Sequence, residues 1–118
     1  MLTCACTAAT LSDFLKAVNQ VEASGQTGMI WGDNHKALGP FQIHKQYWHD
    51  SCVQGSYKQV ADYSYGSKVV IAYLKRFCPK ALQNNDWETC ARVHNGGPGF
   101  SRTRTNFYWK KITNHLTN

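Results

Sequence analysis

The stretch LSDFLKAVNQVEASG, from Leu11 to Gly25, decides how this chain folds. Leu11, Phe14, Leu15, Val18 and Val21 recur in the three- and four-residue steps of a single helical face, the face a helix buries. Following that stripe gives Leu11, Leu15, Val18 and then Glu22, an acid where the pattern calls for an apolar side chain. Glu22 also falls in the last turn, just before Gly25, the expected C-cap, where the helix dipole disfavours negative charge. Burial and dipole both favour the neutral acid. A carboxyl that holds its proton is what general acid catalysis requires.

Beyond Gly25 the sequence turns polar and glycine-rich, and Gly32-Asp33-Asn34 reads as the tip of a short β-hairpin. Gly39-Pro40 predicts a second helix over about 41–50, with proline at its start. A turn around Gly55 leads into a helical pattern from about Tyr57 to Phe77, in one piece or two, which Pro79 ends. Asn85 or Asp86 caps a further helix that closes at Asn95-Gly96-Gly97-Pro98-Gly99. The final helix covers about Thr103 to Leu116. The resulting class is α+β, a mostly helical domain with one short hairpin. The chain's 118 residues suffice for one core but not two. Residues 1–9 read as an N-terminal extension of that single domain.

Thirteen Lys and Arg against seven Asp and Glu give a net charge of +6, which favours polyanionic partners. No run of five or six like charges occurs, so no nucleic-acid tail is expected. No apolar run is long enough to span a membrane, so no membrane insertion is expected. The N-terminus MLTCACTAATLSDF lacks the basic and apolar regions of a signal peptide. Five cysteines (Cys4, Cys6, Cys52, Cys78, Cys90) form no CxxC pair. They fit a secreted domain with one or two disulfides, or reduced thiols packed as small hydrophobes. The histidines show no spacing that specifies a metal, and nothing calls for a cofactor.

Of the seven acids, Asp13, Asp86 and Glu88 sit in first helical turns or caps, while Asp50 and Asp62 fall at helix ends. Glu22 and Asp33 remain. An Asp in a polar turn ordinarily bonds its own backbone. Folded back against the end of the first helix, however, a solvated Asp33 would face a buried Glu22. Two carboxyls in contrasting environments form the glycosidase arrangement, for which lysozyme is the standard illustration.

Several motifs occur in one order: Glu22-Ala-Ser-Gly, Gly32-Asp33, Leu38-Gly-Pro-Phe-Gln-Ile43, Tyr47-Trp48-His-Asp50, Ala72-Tyr-Leu-Lys-Arg76, Ala91-Arg-Val-His-Asn-Gly-Gly-Pro98 and Tyr108-Trp109-Lys110. Together they resemble the invertebrate-type lysozyme (destabilase) family over roughly residues 17–112. The resemblance implies a lysozyme-like fold, with Glu22 as general acid/base and Asp33 as the second carboxylate. The implied reaction cleaves β-1,4 bonds of bacterial peptidoglycan, with retention and carboxyls about 5–5.5 Å apart. Gln42, Tyr47, Trp48, His94, Asn95 and Gly96 are the substrate-binding residues it implies. The alternatives are chitinase activity or a non-catalytic cell-wall glycan-binding module. A monomer is expected, secreted or delivered to lysosomes or phagosomes, its leader already removed. The chain departs from the family in being cysteine-poor: Asn19, Val21 and about Leu38 stand where family members usually carry cysteine.

Overall fold

The computed structural model describes residues 8–116. Helix α1 spans Leu11–Ala23 and starts at Thr10, whose hydroxyl accepts from the Asp13 amide while Asp13 returns a bond to the Thr10 amide. This reciprocal capping box satisfies two amides that the first turn leaves unpaired. The helix stops one residue earlier than expected. Ser24 takes the left-handed C-cap conformation and Gly25 continues it, with their amides bonded back to Gln20 and Asn19. Phe14, Leu15 and Val18 are buried as the apolar stripe requires.

Three two-residue strands follow: β1 (Trp31–Gly32), β2 (Ala37–Leu38) and β3 (Ile43–His44). They pair antiparallel in the order β1-β2-β3, with Trp31 opposite Leu38 and Leu38 opposite Ile43. The expected hairpin is therefore the first half of a three-stranded meander. The second half lies where the sequence predicted the start of a helix. Gln42 is left-handed (φ 49°), which a helix cannot continue through, and Ile43 instead joins the ladder. Helix α2 accordingly covers only Lys45–Ser51.

The pattern from Tyr57 to Phe77 resolves into two pieces, a 3₁₀ turn at Tyr57–Ala61 and helix α3 at Tyr63–Phe77. Asp62 separates them; it is extended, and its carboxylate caps the Tyr65 amide. Pro79 ends α3 and opens the short α4 (Pro79–Gln83). Helices α5 (Trp87–Gly96) and α6 (Arg102–Leu116) complete the domain.

The core gathers Phe14 and Val18 of α1, Val69, Val70 and Leu74 of α3, Cys90 and Ala91 of α5, and Ile112 of α6. Phe14 stacks on Trp87 at 5.0 Å, and the Trp87 indole donates to the Ala9 carbonyl. Gly66 lets α3 approach closely: a Cβ there would crowd the Phe41 ring and the Val60 carbonyl at 3.0 Å. Cys52, Cys78 and Cys90 are free thiols, and those of Cys78 and Cys90 neighbour each other. Cys4 and Cys6 lie outside the described residues. Among the described residues no helix is long and apolar enough to cross a membrane.

Candidate active site

Glu22 ends α1 with its side chain only 20% exposed. Asn19, one turn earlier and buried, fixes that end: its amide donates to the carbonyls of Gln26 (2.9 Å) and Pro40 (3.0 Å). One side chain thus ties the acid-bearing turn to the loop before β1 and to the loop between β2 and β3. Asn19→Ala orphans two carbonyls, one of them buried, and should cost about 2 kcal/mol. A urea titration that leaves the unfolding midpoint unmoved would contradict this role.

Asp33 lies in the β1–β2 loop at the head of three consecutive left-handed residues, Asp33, Asn34 and His35 (φ 50°, 55° and 65°). Asp, Asn and His tolerate that region better than most residues, so the sequence suits the turn. The Lys36 amide closes it onto the carbonyls of Gly32 and Asp33. The Asp33 side chain is 59% exposed, and its Oδ2 lies 3.2 Å from Nε2 of His44 on β3. The two carboxylates line one cleft of about 320 Å³, together with Ala37, Gln42, His44, Tyr47, His94 and Asn95.

Around Glu22 the contacts are specific. Tyr108 on α6 donates its hydroxyl to Oε2 at 3.0 Å. His94 on α5, buried, places Nε2 at 3.3 Å from the same oxygen. Its Nδ1 meets the Tyr47 hydroxyl at 2.7 Å, and the Tyr47 ring stacks on Tyr73 at 3.6 Å. Desolvation pushes the Tyr47 phenol well above its ordinary pKa, with the charges of Tyr73 and Glu22 adding to the shift. Tyr108 is raised in the same way, by desolvation first and then by the Glu22 charge. Both phenols therefore keep their protons. In the tautomer where Tyr47 donates to Nδ1, the His94 proton sits on Nε2 and faces Glu22 Oε2.

The remaining sequence-derived residues divide. Tyr47, His94 and Asn95 reach the cleft, but His94 and Tyr47 turn toward Glu22 through their hydrogen bonds. Gln42 lines the cleft with its amide nitrogen bound to the carbonyls of Ile30 and Gly39, both at 3.0 Å, so it braces the meander. Trp48 is not among the residues lining the Glu22–Asp33 cleft. One helical residue turns about 100°, so it faces away from Tyr47 over a separate hollow, its indole bonded to the Tyr65 hydroxyl. Gly96 serves packing against the start of α6, where a Cβ would meet Phe100 Cβ at 2.9 Å and Thr105 Cγ2 at 3.0 Å. Tyr108 and Asn19 were not among the expected site residues. Asn19 carried a signal, a polar residue beside the buried stripe; Tyr108 carried none beyond its aromatic motif.

A buried arginine holds α5 and α6 together beneath this arrangement. Arg92 pairs with Glu88 (2.9 Å) and donates to the Arg102 carbonyl (2.8 Å), Thr105 Oγ1 (2.9 Å) and Asn106 Oδ1 (2.9 Å).

No family model matches the chain. It is 35% identical over 111 residues to a lysozyme of Magallana gigas, covering 91% of this chain and 81% of that protein. It is 32% identical over 102 residues to lysozyme 1 of Crassostrea virginica, covering 83% of this chain but spanning only 55% of that relative's length. An invertebrate-type lysozyme of Ruditapes philippinarum is 39% identical over 79 residues, 64% of this chain and 58% of that protein. The crystal structure of Tapes japonica lysozyme superposes with a TM-score of 0.71 at 31% identity, over 90% of this chain and 92% of that one.

Proposed function

The chain belongs to the invertebrate-type lysozymes and is a glycoside hydrolase of that class, and on that premise we propose that Glu22 and Asp33 cleave the β-1,4 bonds between N-acetylmuramic acid and N-acetylglucosamine in bacterial peptidoglycan. One observation supports this: a single cleft holds an exposed carboxylate and a largely buried one whose Oε2 lies 3.0 Å from the Tyr108 hydroxyl and 3.3 Å from His94 Nε2.

With Oε2 accepting from Tyr108 and facing His94 Nε2, Oε1 is the Glu22 oxygen left to hold and deliver a proton. That oxygen protonates the glycosidic oxygen as the bond breaks. Asp33, solvated beside His44, attacks or stabilises the anomeric carbon from the other side. Glu22, now a carboxylate, takes a proton from the water that releases the product. His94 and Tyr108 act through Glu22 as positioning residues, fixing which oxygen carries the proton. Asn95 borders the same cleft for the sugar. The +6 charge would concentrate a monomeric enzyme on acidic cell walls, as suits an antibacterial protein that works outside the cell or in lysosomes.

A suspension of bacterial walls provides the test. The protein should clear it and release new reducing ends. Sedimentation with the walls and no new reducing ends would instead identify a non-catalytic glycan-binding module. Faster turnover of chitin oligomers than of walls would identify a chitinase.

A further inference from the structure

Beside the catalytic cleft lies a second hollow of about 420 Å³, formed by the β1–β2 loop, the start of α2 and Tyr57. The two adjoin at His44, which lines both. Their chemistry is opposite in sign. The catalytic cleft carries two carboxylates, whereas the second hollow has none and is lined by Lys36 and Lys45. Both lysines are exposed, and neither takes part in an ion pair among those the described residues form. The same hollow has an aromatic surface. Trp31 is 37% exposed and stacks on His35 at 5.7 Å, and Tyr57 is held in place by donating its hydroxyl to the Ile43 carbonyl at 2.6 Å.

A sugar chain alone has no use for this pair of cations. N-acetylglucosamine polymers are uncharged, so the lysines would bind them no better than glutamines would. Peptidoglycan differs in that its muramic acid residues bear short peptides rich in free carboxylates and in the methyl groups of alanine. Cations beside aromatic faces match that combination: the ammonium groups meet carboxylates, and the rings meet methyl groups and peptide planes. We propose that the hollow lined by Trp31, His35, Lys36, Lys45 and Tyr57 is a subsite for the carboxylates of the peptidoglycan stem peptide. It rests on the peptidoglycan reading above and goes further, because it makes the peptide, as well as the sugar, part of what is recognised. A strand lying across Glu22 and Asp33 passes its stem peptide over His44 into the basic hollow.

The test compares a peptidoglycan tetrasaccharide whose stem peptides keep free carboxylates with the same tetrasaccharide after amidation of those carboxylates. Two solvent-exposed ion pairs are modest, so kcat/KM should favour the free acid by about fivefold at low salt, less as salt rises. The preference should lie mostly in KM. In the Lys36→Gln, Lys45→Gln double variant, whose changes are on the exposed surface, the ratio should fall to about one. Equal rates on both substrates in the wild type, or a preference that survives in the double variant, would overturn the subsite while leaving the lysozyme reading intact. Hydrolysis of neither substrate would overturn the lysozyme reading itself. A second readout needs no turnover. The free stem pentapeptide should shift the Trp31 indole resonance of the wild type more than that of the double variant, and no shift in either would also overturn the subsite.

Discussion

Glu22→Gln should lower the release of reducing ends from bacterial walls by about a thousandfold or more while the protein still folds and binds its substrate. The amide is nearly isosteric, and its oxygen can replace Oε2 as acceptor for Tyr108 and the His94 proton. The amide nitrogen then occupies the Oε1 position, where the acid's proton would be. An amide cannot donate that proton to a leaving oxygen, nor take one back from water. Thermal unfolding within a degree or two of wild type would show that the loss is chemical. If the variant kept even a tenth of wild-type turnover, Glu22 would not be the acid.

The largest structural effect should come from Arg92. Arg92→Leu puts a shorter, apolar side chain there and strips partners from Glu88, the Arg102 carbonyl, Thr105 and Asn106 at once. The expected loss is about 3 kcal/mol. For a domain of this size that lowers the melting temperature by about 10 °C or more, readable by circular dichroism. Arg92→Lys should recover only part of it, because an ammonium cannot span Glu88 and α6 with a planar fork. A melting temperature unchanged in Arg92→Leu would mean that apolar packing alone docks α6.

How much of this the sequence revealed depended on the reach of the interactions. Glu22 was legible because a helix repeats over one or two turns, so an acid on the stripe stands out locally. The capping box at Thr10 and Asp13 and the stop at Pro79 are equally local. Asp33 was weaker: a turn aspartate has the same local pattern whether or not a second carboxylate faces it, and the family resemblance had to supply the pairing. The start of α2 was misplaced because Gly39-Pro40 reads as a helix opening, while the left-handed Gln42 that prevents it depends on bonds to Ile30 and Gly39 across the meander. Tyr47 and Trp48 are adjacent aromatics with equal claims on a sugar; only the phase of α2 separates the one in the cleft from the one behind it. Tyr108 reaches Glu22 across 86 positions, a distance no periodicity spans.

That last contact links chemistry to folding order. The acid comes from α1 and the two side chains at its Oε2 from α5 and α6, so the reactive arrangement exists only while α6 is docked. Any local opening that undocks α6 therefore abolishes turnover, even while the other helices persist. The converse also holds. A glycan strand in the cleft binds only the docked form, so occupancy by substrate holds the last helix in place.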